Sequence, residues 1–137
     1  MYAAVSLIHA QQVATTVIDR ALKPLGLTFA RYEVLMLLSF STQGSLPITK
    51  MGERLLVHPT GITRLVDKLV DQGLVERKRH PEDRRSVLAA ITPAGRRLAK
   101  KATTVLGDVE FGLPHPTRDL DELVAILERM RARASGG

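Results

Sequence analysis

The sequence predicts a mainly helical fold of the α+β class, and three observations point there. Apolar residues recur at helical spacing over most of the chain, in stretches closed off by Pro and Gly. The stretch around residue 80 breaks that period and reads as two short strands flanking a charged turn. Aromatic residues make up only 4% of a chain that is 45% apolar, so the core is built from Leu, Val, Ile and Ala, which suits helices better than a β-sandwich. At 137 residues the chain reads as one domain, 1–137, long enough to bury a core.

Taken in order, residues 3–23 read as a helix with two apolar stripes. One holds Ala4, Val5, Ile8, Ile18 and Leu22; the other holds Leu7, Ala10, Ala14, Val17 and Ala21. A helix apolar on two faces needs two partners, here its own core and a second subunit. Pro24 and Gly26 end it, and Thr28 caps a second helix over 29–40 with Tyr32, Leu35, Met36 and Phe40 as core positions. Gly44 and Pro47 mark a loop, whose residues 44–48 offer a third strand through Leu46. Thr49 to Leu56 reads as a short helix. From Pro59 to Gln72 the period is cleanest: Ile62, Leu65, Val66, Leu69 and Val70 share one face, and Gly73 caps the end. Strands over Leu74–Arg79 and Ser86–Ile91 flank His80-Pro81-Glu82-Asp83-Arg84-Arg85. Thr92-Pro93 then opens a long helix to about Phe111, broken by Gly112, Pro114 and Pro116. Asp119 to Arg133 is a last helix with Leu120, Leu123, Val124, Leu127 and Met130 on one face, and the tail 134–137 is expected to fray.

Charge is unevenly spread. From Thr49 to Lys101 there are 13 Lys/Arg against 6 Asp/Glu, a net of +7, whereas the rest of the chain holds 7 against 8. The whole excess of this basic chain, net +6, sits in one continuous segment, which points to a polyanionic partner. The absence of cysteine excludes disulfides, thiolate redox sensing and cysteine-ligated zinc, and fits a reducing, cytoplasmic setting. His9, His58, His80 and His115 show no metal-ligand spacing, so no metal or other cofactor is expected. The chain has no nucleophile–base pair and no phosphate loop, so it does not read as an enzyme. Asp67 and Asp71 lie one turn apart on the outer face of 59–72, where Asp67 reads as a structural partner for a basic residue and not as half of a catalytic pair. No apolar run reaches membrane-spanning length, and the first residues lack the basic start of a signal peptide.

The pairing of 49–56 with 59–72 has the size and turn length of a helix-turn-helix, and the basic hairpin after it is the wing. The B-DNA major groove, about 12 Å wide, admits one helix. That helix needs small polar or cationic side chains near its N-terminal end, and Thr60, Gly61, Thr63 and Arg64 supply them. Gly61 permits close backbone approach, and the helix N-terminus favours a phosphate. Arg64 can fork onto a guanine, while Lys68, one turn on, suits a phosphate. Arg77 and Arg79, on the first wing strand, are further candidates for contact with DNA. At the tip, Arg84 and Arg85 are both candidates for the minor groove. Asp83 is unfavourable against phosphate, so it is read as bracing a neighbouring arginine. Arg96, Arg97, Lys100 and Lys101 read as a solvated helix face.

Residues 29–101 resemble the multiple-antibiotic-resistance regulator (MarR) family of winged-helix repressors. The likeness is carried by Gly61-Ile-Thr-Arg-Leu-Val-Asp-Lys-Leu-Val-Asp-Gln-Gly-Leu-Val-Glu-Arg and by Pro81-Glu-Asp-Arg-Arg-Ser-Val-Leu-Ala-Ala-Ile-Thr-Pro-Ala-Gly-Arg. The family's wing motif, Asp-x-Arg, falls on Asp83-Arg84-Arg85, which implies Arg85 as the minor-groove residue and Asp83 as its brace. The resemblance implies a homodimer joined by the first helix and the last two, double-stranded operator DNA as partner, and often release by a small aromatic or anionic effector. Arg31 and Tyr32 are candidate effector-pocket residues. The expected layout is a DNA-binding lobe over 28–92 with dimerisation helices over 1–24 and 93–134. The chain departs from the family in places: it has no tryptophan for the pocket of urate-responsive members, no cysteine for peroxide sensing, and His58 where a Ser cap is common. The competing reading is a winged-helix module for protein assembly or non-specific nucleic-acid coating, which predicts no discrimination between DNA sequences.

Overall fold

A computed structural model of the protein describes residues 1–136. Six α-helices and a three-stranded antiparallel sheet follow one another in the expected order. Helix α1 (Tyr2–Leu22) runs into a 3₁₀ turn at Lys23–Leu25, where Pro24 and a left-handed Gly26 end it. Helix α2 (Phe29–Phe40) starts at Thr28, whose Oγ1 accepts the Arg31 N–H, and Asp19 of α1 accepts the Phe29 N–H at 2.8 Å. Two of the free donors at the start of α2 are thus satisfied, one of them by the preceding helix.

Strand β1 (Ser45–Pro47) leads into α3 (Ile48–Leu55), then α4 (Pro59–Asp71), the hairpin β2 (Val75–Arg79) and β3 (Val87–Ile91), and α5 (Pro93–Asp108). The strand order is β1-β3-β2, with Leu46 opposite Ala89 and Arg77 opposite the same residue on the other side. The third strand anticipated at 44–48 is therefore present. Thr92 caps α5 by accepting the Gly95 N–H, and its hydroxyl donates to the Gly73 carbonyl, tying that helix to the end of α4. Gly95 leaves no room for a side chain: a Cβ there would lie 2.2 Å from the Leu74 carbonyl oxygen.

The core joins Leu22 of α1, Val34, Leu35 and Leu38 of α2, Met51 of α3, Ile62, Val66 and Leu69 of α4, Val75 and Ala89 of the sheet, and Ala99, Ala102 and Leu106 of α5. Four expectations change here, and the first is Phe40, which stands 81% exposed at the end of α2 and is not a core position. Helix α5 stops at Asp108 and not near Phe111, because Glu110 and Phe111 take left-handed backbone and Gly112 turns the chain hard against Ala14 of α1. The two stripes of α1 also divide by length and not by face. Ile18 and Leu22 are buried in the lobe, while both stripes stand exposed from Met1 to Val13. After that reversal α6 (Thr117–Ser135) runs on through most of the tail expected to fray, and buries no residue fully. Gly137 lies outside the described residues.

Candidate nucleic-acid interface

The turn between α3 and α4 is set by two local devices. Leu56 takes a left-handed backbone, φ 55°, and accomplishes the reversal that ends α3. His58 then starts α4: its Nδ1 accepts the Thr60 N–H at 3.2 Å, so this residue does cap the helix where a serine was the ordinary choice. Pro59 occupies the first helical position. Gly61 has a packing reason beyond backbone approach to DNA, since a Cβ there would meet the Val57 side chain at 2.9 Å.

The apolar stripe Ile62, Val66 and Leu69 is buried, which turns Thr60, Thr63, Arg64 and Lys68 outward into solvent. The Thr63 hydroxyl donates back to the Pro59 carbonyl at 3.0 Å and keeps its acceptor lone pairs free. Arg64 and Lys68 make no ion pair among the described residues. Arg77 differs from the reading as a free DNA-facing cation, because its guanidinium pairs with Asp67 of α4. That pair ties the base of the wing to the outer face of the recognition helix and supplies the basic partner anticipated for Asp67. Arg79 ends β2 exposed.

At the tip of the wing the Asp83 carboxylate accepts the backbone N–H of Arg85 at 3.0 Å, so what it braces is the arginine's main chain and not its guanidinium. Residues 81–85 are exposed, Arg84 and Arg85 included. Thr63, Arg77 and Arg85 line one cleft of about 300 Å³ with Ile48, Thr49, Ser86 and Val87, so recognition helix and wing converge on a shared concave surface. Sequence reasoning missed His80, whose Nδ1 accepts the N–H groups of both Glu82 and Asp83 at 3.1 Å. The signal available was the repeat of His-Pro at 58–59 and 80–81.

The residues expected to line an effector pocket are otherwise engaged. Tyr32 is buried with its hydroxyl 2.7 Å from Thr103 Oγ1, and Arg31 donates to the Gly26 carbonyl. A cleft of about 370 Å³ does open between α2 and α5, lined by Met36, Ser39, Arg96, Ala99, Lys100, Thr103 and Thr104. Tyr32 is not among the lining residues, but its hydroxyl is hydrogen-bonded to Thr103, which is. No helix among the described residues is long and apolar enough to cross a membrane. No group of three or more His, Asp or Glu among them is placed to hold a metal ion.

With this geometry in place, residues 27–87 match the model of the MarR family. The chain is 36% identical over 107 residues to the organic hydroperoxide resistance transcriptional regulator of Bacillus subtilis, covering 77% of this chain and 71% of that one. A crystal structure of a MarR family transcriptional regulator from Streptomyces coelicolor superposes with a TM-score of 0.90 at 44% identity, over 98% of this chain and 94% of the other. The chain belongs to the MarR family. It is a winged-helix transcriptional regulator, and the relatives it resembles are regulators and not enzymes. Among MarR structures, that of an Escherichia coli MarR mutant complexed with operator DNA superposes with a TM-score of 0.80 at 26% identity, covering 91% of both chains.

Proposed function

We propose that this MarR-family regulator is a cytoplasmic homodimeric repressor that binds a pseudo-palindromic operator and leaves it when a small molecule binds. The observation that carries the reading is the cleft lined by both Thr63 of α4 and Arg85 of the wing. It sits beside an outward row of Thr60, Arg64 and Lys68 that the burial of Ile62, Val66 and Leu69 leaves free. Arg64 reads a base edge in the major groove, Lys68 a phosphate, and Arg85 the adjacent minor groove, with Asp83 fixing its main chain. Thr60 and Gly61 bring the helix N-terminus to a phosphate, Arg79 and Arg84 add charge along the wing, and Arg77 acts through its pair with Asp67.

Residues 28–92 form the DNA-binding lobe, and 1–24 with 93–134 the dimerisation helices. Support for that division comes from apolar side chains left bare on α1 and α6, with Val13 64% and Val124 53% exposed. The effector site is the cleft between α2 and α5: Arg96 and Lys100 suit an anionic group, Met36 and Ala99 its apolar body, and Tyr32 supports the wall through Thr103. Without a cysteine in these residues, release cannot run through a thiol here.

Selection of bound duplexes from random DNA at physiological salt tests the reading. Enrichment of one two-fold-symmetric site supports it, and retention of every sequence equally means an assembly or coating module.

A further inference from the structure

Both elements that face DNA in the proposed complex are held by histidine in the same manner. Proline disfavours the helical region for the residue before it, and His58 is accordingly extended at φ −57°, ψ 145°. From there its Nδ1 accepts the Thr60 N–H at the start of α4. His80 repeats the arrangement before Pro81, taking the Glu82 and Asp83 N–H groups, and Asp83 passes the order on to the Arg85 N–H. Three backbone donors therefore depend on two imidazole nitrogens that carry no proton. A neutral ring whose Nδ1 accepts bears its hydrogen on Nε2. Imidazole changes charge in the physiological pH range, and an imidazolium has no acceptor left.

We propose that His58 and His80 are positioning residues: as neutral imidazoles they hold the recognition-helix N-terminus and the wing turn in the DNA-reading shape, and their protonation lowers the protein's preference for its operator. The inference rests on the DNA-binding reading above. The surrounding charges are of both signs, and none of them forms an ion pair with either ring among the described residues. Beside His58 stand Glu53 of α3, which lines the same groove, and the partial positive charge of the α4 N-terminus. Around His80 the turn and strands carry Arg79, Glu82, Asp83, Arg84 and Arg85. A new positive charge does attract phosphate, but it does so at any sequence. Acid therefore weakens operator binding relative to binding of arbitrary DNA, which is the quantity to measure.

The test compares wild type, the double variant His58→Asn/His80→Asn and the double variant His58→Ala/His80→Ala. Asn puts an acceptor oxygen near the place of Nδ1 and does not titrate. Nitrogen-15 NMR of the histidine rings at pH 7.5 reads the tautomer without DNA. Competition between the selected duplex and a scrambled one, at fixed salt, reads preference at pH 7.5 and 5.5. The expected result is hydrogen on Nε2 in both rings and a preference that falls about tenfold on acidification in wild type. It stays constant in the Asn variant and is low at both pH values in the Ala variant. Hydrogen on Nδ1, or an Asn variant that loses preference in acid as wild type does, overturns the proposal. If no duplex is preferred by wild type at pH 7.5, the DNA reading itself fails and the proposal falls with it, whatever the tautomer.

Discussion

Arg64 and Arg85 meet DNA through different physics in the proposed complex, and substitutions separate them. Arg64 presents a fork of donors from the first turns of α4, so Arg64→Ala is expected to cost about 1–3 kcal/mol on the cognate site and to relax preference at one base pair. Arg85 works through groove shape and charge, so its loss weakens binding to many sequences and flattens the salt dependence by roughly one unit of slope per phosphate-equivalent contact. Asp83→Ala is the sharper test. Simple electrostatics says that deleting an acid tightens binding. The bond from Asp83 to the Arg85 N–H says that deletion unfastens the wing tip and weakens it. Titration of that variant at two salt concentrations decides, and tighter binding at both would dismiss the brace. Glu33 gives a test of stability at the same scale. Burial raises its carboxyl above the ordinary 4.5. The folded chain then holds that proton more tightly than the unfolded chain, so the stability it adds is complete below 4.5 and is lost as pH rises through the raised value. Glu33→Gln is thus expected to have a higher thermal midpoint than wild type at pH 7 and an equal one near pH 4. Equal midpoints at both would refute the assignment.

Among the elements, the joint between wing and α5 is the least tolerant. Thr92 bonds both the Gly95 N–H and the Gly73 carbonyl, and the missing side chain of Gly95 lets the Leu74 carbonyl come close. A methyl group there collides with backbone, which cannot swing aside. Gly95→Ala is therefore expected to destabilise by about 1–3 kcal/mol or more, read as a lowered denaturant midpoint at unchanged slope. Gly61→Ala meets one methyl of Val57 and no backbone atom, so it costs less. A reversed ranking would show that the α3–α4 turn and not the wing–α5 joint is the tight point. The element boundaries were largely legible in sequence because their signals are local. Thr28 and Thr92 cap, Pro59 starts a helix, and Gly26 and Gly73 take the left-handed backbone that ends one. The end of α5 was not legible, because it is set by the approach of Gly112 to Ala14, far away in sequence.

For the whole molecule the question is what covers α1 and α6. The first half of α1 stands bare, and α6 buries nothing fully despite a stripe of Leu123, Val124, Leu127 and Met130. A two-fold dimer that pairs these faces places two lobes on half-sites about one helical turn apart. Sedimentation at micromolar concentration is expected to give twice the 15.0 kDa chain mass. Val124→Asp should shift that mass toward one chain and lower operator affinity together. A wild-type monomer that binds a single half-site with full affinity would rule the arrangement out.

The sequence by itself determined the helices, the strands, the buried stripe of α4 and hence the outward row from Thr60 to Lys68, since each follows from spacing within one segment. It also determined that the positive excess lies mainly in the wing and the start of α5, while α4 sets Arg64 and Lys68 against Asp67 and Asp71. Only the tertiary structure decided which of those charges are free. Arg77 looked as available as Arg79 until folding laid β2 against α4 and brought Asp67 to its guanidinium. The same holds for Tyr32, whose hydroxyl is claimed by Thr103 of α5, 71 residues away. Periodicity reports the environment of a face, averaged over a helix. Hydrogen bonds and ion pairs need two particular atoms within about 3 Å, a distance fixed only when separate elements pack.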